Sequence, residues 1–149
     1  MSDAVYAQTS VAAIGVAAHE CGHAIQHNVG YAPLKLRSAF VPVANLGSTL
    51  AMPLIILGLI IGLTPFIQVG IWLFVLAIAF QVITLPVEFN ASSRAIRLLE
   101  SQGILAGQEV DGTKKVLGAA ALTYVAAVAS SLLQLLRLVI LAGGRRSDD

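Results

Sequence analysis

The chain has few charged residues and a single cysteine, and each scarcity excludes a class of protein. Charged residues make up 11% of the 149 residues, whereas about a quarter of an ordinary soluble domain is charged. The net charge of +1 gives no basic surface for a nucleic acid. One cysteine, Cys21, excludes an intrachain disulfide framework and any multi-cysteine zinc site. The sequence is therefore not that of a soluble domain, a disordered chain or a nucleic-acid-binding protein.

The chain consists mainly of apolar residues. Hydrophobic residues make up 57% of the chain, and its mean hydropathy is +0.84. A helix needs about 20 apolar residues to cross a bilayer, and three runs are long enough: roughly residues 43–63, 66–85 and 117–141. Only Thr64 and Pro65 separate the first two, which predicts an antiparallel hairpin. The third run is rich in small residues, which let membrane helices pack closely.

These runs predict an all-α integral membrane bundle of about three transmembrane helices, forming one domain over residues 1–149. A hairpin returns the chain to its starting side, so the polar segments 1–42 and 86–116 are expected on one face of the membrane. Those segments hold six cations, and the hairpin tip holds none: Lys35, Arg37, Arg94, Arg97, Lys114 and Lys115. The positive-inside rule then predicts a multi-pass protein of the inner (plasma) membrane, with this face in the cytoplasm.

A H-E-x-x-H pattern, His19 to His23, lies in a helix predicted over residues 11–29, with Ser10 as its N-cap and Gly30 as its stop. The two histidines are one turn apart, about 6 Å along the axis, on one face. Two imidazoles in that position can hold one zinc ion. Glu20, rotated by about 100°, can act as the general base of a hydrolysis.

A catalytic zinc ion usually has three protein ligands and one open position. His27 is not expected to be the third, because it lies about 12 Å along the axis from His19. Glu88 follows Pro86, at the start of a helix predicted over residues 86–102, on the same membrane face as the motif. Two interpretations are open: a carboxylate that stabilises the first turn of its helix, or the third ligand. The other acids of this region, Glu100, Glu109 and Asp111, are expected in a solvated loop, and Cys21 is expected to be a buried thiol.

Three segments, residues 17–27, 85–92 and 121–126, resemble the bacterial neutral zinc metallopeptidases of the YugP type, and the resemblance extends over essentially the whole chain. The stretch from Glu88 to Ser92 is also similar to the E-F-x-A-D stretch of membrane peptidases related to the CAAX prenyl protease and the heat-shock protease HtpX. The resemblance implies Zn²⁺ on His19, His23 and Glu88, with Glu20 as the catalytic base. Ser92 stands where those relatives have an aspartate, so Asn90 or Ser92 is expected to orient the ligands instead.

The sequence thus predicts a membrane-bound zinc endopeptidase that acts on peptide or protein substrates, some of them membrane-associated. An inactive zinc-binding remnant is the main alternative, because family members have more chain upstream than the 18 residues before His19. A zinc transporter is disfavoured, because the three apolar runs contain no acid and no histidine. A site-2-type protease would need Asp111 and Gly112 on a membrane helix rather than in a polar loop. The sequence leaves the substrate and the oligomeric state open.

Overall fold

A computed structural model describes residues 10–148, with side chains up to residue 144, and within that part the chain consists of helices without strands. Four helices follow one another: α1 (Val11–Asn28), α2 (Ala32–Ile61), α3 (Thr64–Ser101) and α4 (Gln108–Asp148). This confirms the all-α prediction.

The first helix begins and ends where the sequence predicts. Ser10 has an extended backbone, and its hydroxyl oxygen accepts a hydrogen bond from the N–H of Ala13 at 3.2 Å. At the other end, Gly30 has a φ of +68°, a left-handed conformation that costs glycine little. The motif helix is therefore delimited by its own local sequence.

Helices α2, α3 and α4 are long and apolar enough to cross a membrane, as predicted. Many of their bulky apolar side chains are exposed on the isolated chain, among them Ile60, Trp72, Leu133 and Ile140. A soluble monomer rarely exposes so much apolar surface, whereas lipid solvates it without cost. The three helices therefore have both the length and the surface of membrane spans.

Two predicted boundaries are wrong, because the helices continue past them. Helix α3 runs unbroken through Pro86 to Ser101, so no new helix starts at residue 86. Helix α4 begins at Gln108, which places Glu109 and Asp111 in its first turn rather than in a loop. A proline removes one backbone hydrogen bond, but neighbouring packing lets membrane helices tolerate the loss. Pro86 therefore leaves the helix intact.

One compact unit comprises, within the described part of the chain, residues 37–83 and 126–148. Its α2 and α3 segments form the predicted antiparallel hairpin, with glycines where the two backbones approach. A Cβ at Gly47 would lie 2.8 Å from the carbonyl oxygen of Leu73, and one at Gly70 would lie 2.9 Å from that of Ala51. The small residues Ala126, Ala127 and Ala129 of α4 are exposed instead. Close backbone packing is thus found in the hairpin.

The other unit comprises, among the described residues, 10–36 and 84–125. Helix α1 presents a face of small and buried residues, spaced three or four apart, that is typical of a packed helix: Gly15, Ala18, Gly22 and Gln26. The apolar core of the unit is formed by Ala18 with residues of α3, of α4 and of the turn between them: Ala95, Leu99, Leu105, Val110 and Leu117. This unit contains the H-E-x-x-H motif and Glu88.

Candidate metal centre

Three predicted ligands converge in this unit, two from α1 and one from α3. His19 Nε2 lies 2.9 Å from Glu88 Oε2, and His23 Nε2 lies 3.4 Å from the same oxygen. The two Nε2 atoms lie 3.1 Å apart. These three atoms form a small triangle, and the three residues constitute a group that could hold a metal ion.

The size and chemistry of the triangle fit a zinc ion. Zn–N and Zn–O bonds of about 2.0–2.2 Å in a tetrahedron separate neighbouring ligand atoms by about 3.3–3.6 Å, close to the spacings found here. Moreover, two imidazole nitrogens that face each other at 3.1 Å repel unless a proton or a cation lies between their lone pairs. Two imidazoles and one carboxylate leave the fourth position of such an ion open.

The carboxylate of the site is shielded from solvent, whereas the two histidines are partly exposed to it. The Glu88 side chain is 6% exposed, whereas those of His19 and His23 are 17% and 23% exposed. Glu20 is exposed, so its carboxylate can meet water. His27 is exposed as well and lies outside the ligand group, as predicted.

The alternative interpretation of Glu88, as a carboxylate in the first turn of a helix, is wrong. Helix α3 begins at Thr64, so Glu88 lies deep within the helix, where no unsatisfied N–H groups attract an anion. A buried carboxylate in a helix interior is costly unless it is paired. Its contacts with His19 and His23 supply the pairing.

Polar residues behind the candidate ligands contact the two imidazole rings. Ser92 Oγ lies 2.9 Å from His19 Nδ1, so it can accept the Nδ1–H bond while Nε2 faces the site. Asn90 is linked to His23 indirectly. Its side chain contacts Gln26, which in turn contacts His23 Nδ1. Both residues expected from the sequence to orient the ligands thus lie near the candidate ligands, and Ser92 contacts one of them directly.

Gln26 is the member of this arrangement that the sequence prediction missed. It is fully buried, with an exposure of 0%. A signal was present in the sequence: Gln26 falls on the face of α1 that otherwise carries Gly15, Ala18 and Gly22. A polar residue on such a face needs a polar partner.

Gly22 sets the distance between α1 and α3 at the site. A Cβ added at Gly22 would overlap the carbonyl oxygen of Ala91, a backbone atom that cannot move aside without displacing α3. Ala91 lies three residues after Glu88. The glycine therefore permits the approach that brings the histidines of α1 to the carboxylate of α3.

We expect Gly22→Ala to lower the free energy of unfolding by about 1–3 kcal/mol and to reduce zinc binding, because the two helices must separate. Gly118→Ala is the matched control: it is also a helical glycine, but a Cβ there meets nothing within 4 Å. Denaturation in detergent and zinc content measure both effects. Unchanged stability and zinc content in Gly22→Ala would contradict the close approach.

Cys21 does not occupy the position predicted for it. Its side chain is exposed rather than buried, because the buried face of α1 passes through Gly22 and not through its neighbour. The thiol is accordingly no part of the ligand group.

Comparison with known proteins agrees with this chemistry. Residues 1–143 match the model of a family described as "Putative neutral zinc metallopeptidase". The chain is also 50% identical over 149 residues to the "Putative membrane protease YugP" of Bacillus subtilis (strain 168). That alignment covers 100% of the chain and 66% of the relative, so the chain spans about two thirds of the relative's length. No solved structure matches the chain.

Proposed function

The chain belongs to the putative neutral zinc metallopeptidase family, and we propose that it is a membrane-bound zinc endopeptidase in which His19, His23 and Glu88 bind the ion and Glu20 is the general base. The family and the membrane-protease relative support a protease of the membrane. The assignment of individual residues rests on the geometry of the site.

The convergence of His19, His23 and Glu88 is the observation that carries this proposal. Their three ligand atoms come from two helices and lie 2.9–3.4 Å apart. Glu88 is 69 residues away from His19 in the sequence, so the convergence is a product of folding and not of the motif. Two histidines with one glutamate are a known ligand set of zinc peptidases.

Different residues of the chain would have different roles in peptide hydrolysis. A bound zinc ion would supply Lewis-acid polarisation of the scissile carbonyl and lower the pKa of water. Glu20, next to His19 and exposed, would accept the proton of the attacking water and then pass it to the leaving amine. Ser92 and Gln26 would hold the two imidazoles in orientation.

The membrane setting supports a substrate that is a peptide or a protein reached at the bilayer surface. We place the protein in the plasma membrane with the metal centre near the cytoplasmic face, because the polar segments around the site carry the six Lys and Arg residues that the positive-inside rule assigns to that side. Labelling of the exposed Cys21 by a membrane-impermeant thiol reagent in lysed but not in intact cells would support this orientation.

The test of the proposed function is removal of the metal. The chain, purified in detergent, is expected to contain one zinc per chain and to cleave an unfolded protein substrate. Stripping with 1,10-phenanthroline should abolish cleavage, and added Zn²⁺ should restore it while Mg²⁺ does not, because Mg²⁺ prefers all-oxygen sites. Cleavage that persists in protein shown by elemental mass spectrometry to be free of metal would refute a zinc peptidase.

A further inference from the structure

The buried amide of Gln26 contacts His23, one of the proposed metal ligands, and two polar groups of α3. Its Oε1 lies 2.9 Å from His23 Nδ1. Its Nε2 donates to the carbonyl oxygen of Val87 at 2.8 Å and to Asn90 Oδ1 at 3.1 Å. Both hydrogens of the amide and its oxygen are therefore engaged, in a residue with 0% exposure.

This arrangement allows one orientation of the amide. If the amide were flipped, its oxygen would face the Val87 carbonyl and Asn90 Oδ1, which are two acceptors. The oxygen of Asn90 is fixed in turn, because Arg94 Nε donates to it at 2.7 Å. The guanidinium of Arg94 lies over the ring of Tyr31, 5.6 Å from its centroid. A chain of contacts thus runs from Tyr31 through Arg94 and Asn90 to Gln26.

The fixed amide determines which nitrogen of His23 carries the proton. A carbonyl oxygen can only accept, so the atom that faces it, His23 Nδ1, must be the donor. In the neutral imidazole the other nitrogen, Nε2, then carries a lone pair instead of a proton. That lone pair points toward Glu88 Oε2 and His19 Nε2, which is the direction that a shared metal ion requires.

We propose that Gln26 is a positioning residue that locks His23 in the tautomer with its proton on Nδ1 and so presents Nε2 to the metal, with Asn90 and Arg94 holding the amide in its working orientation. The inference rests on the proposed function, since it takes the ion to be the zinc of the peptidase site. In this arrangement Gln26 orients His23 before the ion binds.

Two substitutions of Gln26 separate positioning from packing. Gln26→Met keeps the length and the burial of the side chain but has no oxygen for His23 Nδ1–H. Gln26→Glu keeps such an oxygen, and its carboxyl group, protonated on the side of Val87, can also donate to the carbonyl there as the amide does. Positioning predicts that Gln26→Met weakens zinc binding about 10–100-fold, as is typical for a group behind a ligand, and that Gln26→Glu restores most of the loss. Gln102→Met, at an exposed glutamine, is the matched control.

Zinc affinity is measured by competition with a chelator, and the tautomer by ¹⁵N NMR of histidine-labelled, zinc-free chain above the ordinary imidazole pKa of about 6.5. The chain has three histidines, which His19→Gln and His27→Gln variants assign. We expect the Nδ1–H form of His23 in wild type and Gln26→Glu, and a mixture of both tautomers in Gln26→Met.

The inference and the proposed function fail in different ways. If Gln26→Met matches wild type in tautomer and zinc affinity while Gln26→Glu is worse, Gln26 only fills space and the inference is overturned. If folded wild type binds no zinc, the proposed function fails. The NMR comparison then still decides whether Gln26 fixes the tautomer of His23, because it is made on the zinc-free chain.

Discussion

Glu20→Gln is expected to reduce proteolysis by about 10²–10⁴-fold, the usual contribution of general acid–base catalysis, while the protein retains its zinc. The amide has the size of the carboxylate but cannot accept the proton of the attacking water. Glu20 lies outside the ligand group, so its replacement should leave the three ligands in place. The measurement is cleavage of an unfolded protein substrate together with zinc content by elemental mass spectrometry.

Glu109→Gln serves as the control for Glu20→Gln, because Glu109 is also an exposed helical glutamate, in the first turn of α4. It should retain the wild-type rate. A Glu20→Gln variant that cleaves at the wild-type rate would remove Glu20 from the mechanism and leave the proposed zinc ligands unaffected.

Glu88→Ala should weaken zinc binding by more than the 10–100-fold typical of a residue behind a ligand, because it removes one of three groups that touch the ion. The loss should equal that in His23→Ala. The substitution also leaves the lone pairs of His19 and His23, 3.1 Å apart, without the carboxylate that draws a cation between them. Zinc affinity is again measured by chelator competition.

Glu100→Ala is the matched control for Glu88→Ala, since Glu100 lies near the end of the same helix and is exposed. Glu88→Gln, which keeps the side-chain volume, guards against a folding defect and should lose affinity similarly. Wild-type zinc affinity in a folded Glu88→Gln variant would mean that another residue provides the third ligand.

The predictions from sequence succeeded where the information is local. Ser10 and Gly30 mark the ends of α1 because capping depends on a few neighbouring residues. The boundary at Pro86 was wrong for the converse reason. A proline predicts a break from local preference, but the continuity of a long helix depends on what packs around it.

The prediction that Cys21 is buried was wrong for a similar reason. Its exposure depends on which face of α1 contacts the rest of the unit. Gly15, Ala18 and Gly22 define that face, and the residues that cover it, such as Thr113 against Gly15 and Ala91 against Gly22, come from α4 and α3. The chemical type of a residue does not reveal its side of the helix.

The sequence by itself determined that this is an α-helical membrane protein with an H-E-x-x-H helix, because hydrophobic run length and a four-residue spacing are properties of contiguous chain. Only the tertiary structure decided that Glu88 faces the two histidines and is not a first-turn carboxylate, and that Gln26 contacts His23 and Val87 together. The contacts of Glu88 with His19 and of Gln26 with Val87 join residues more than 60 positions apart. They depend on the depth at which α1 packs against α3, and the bare surface of Gly22 sets that depth.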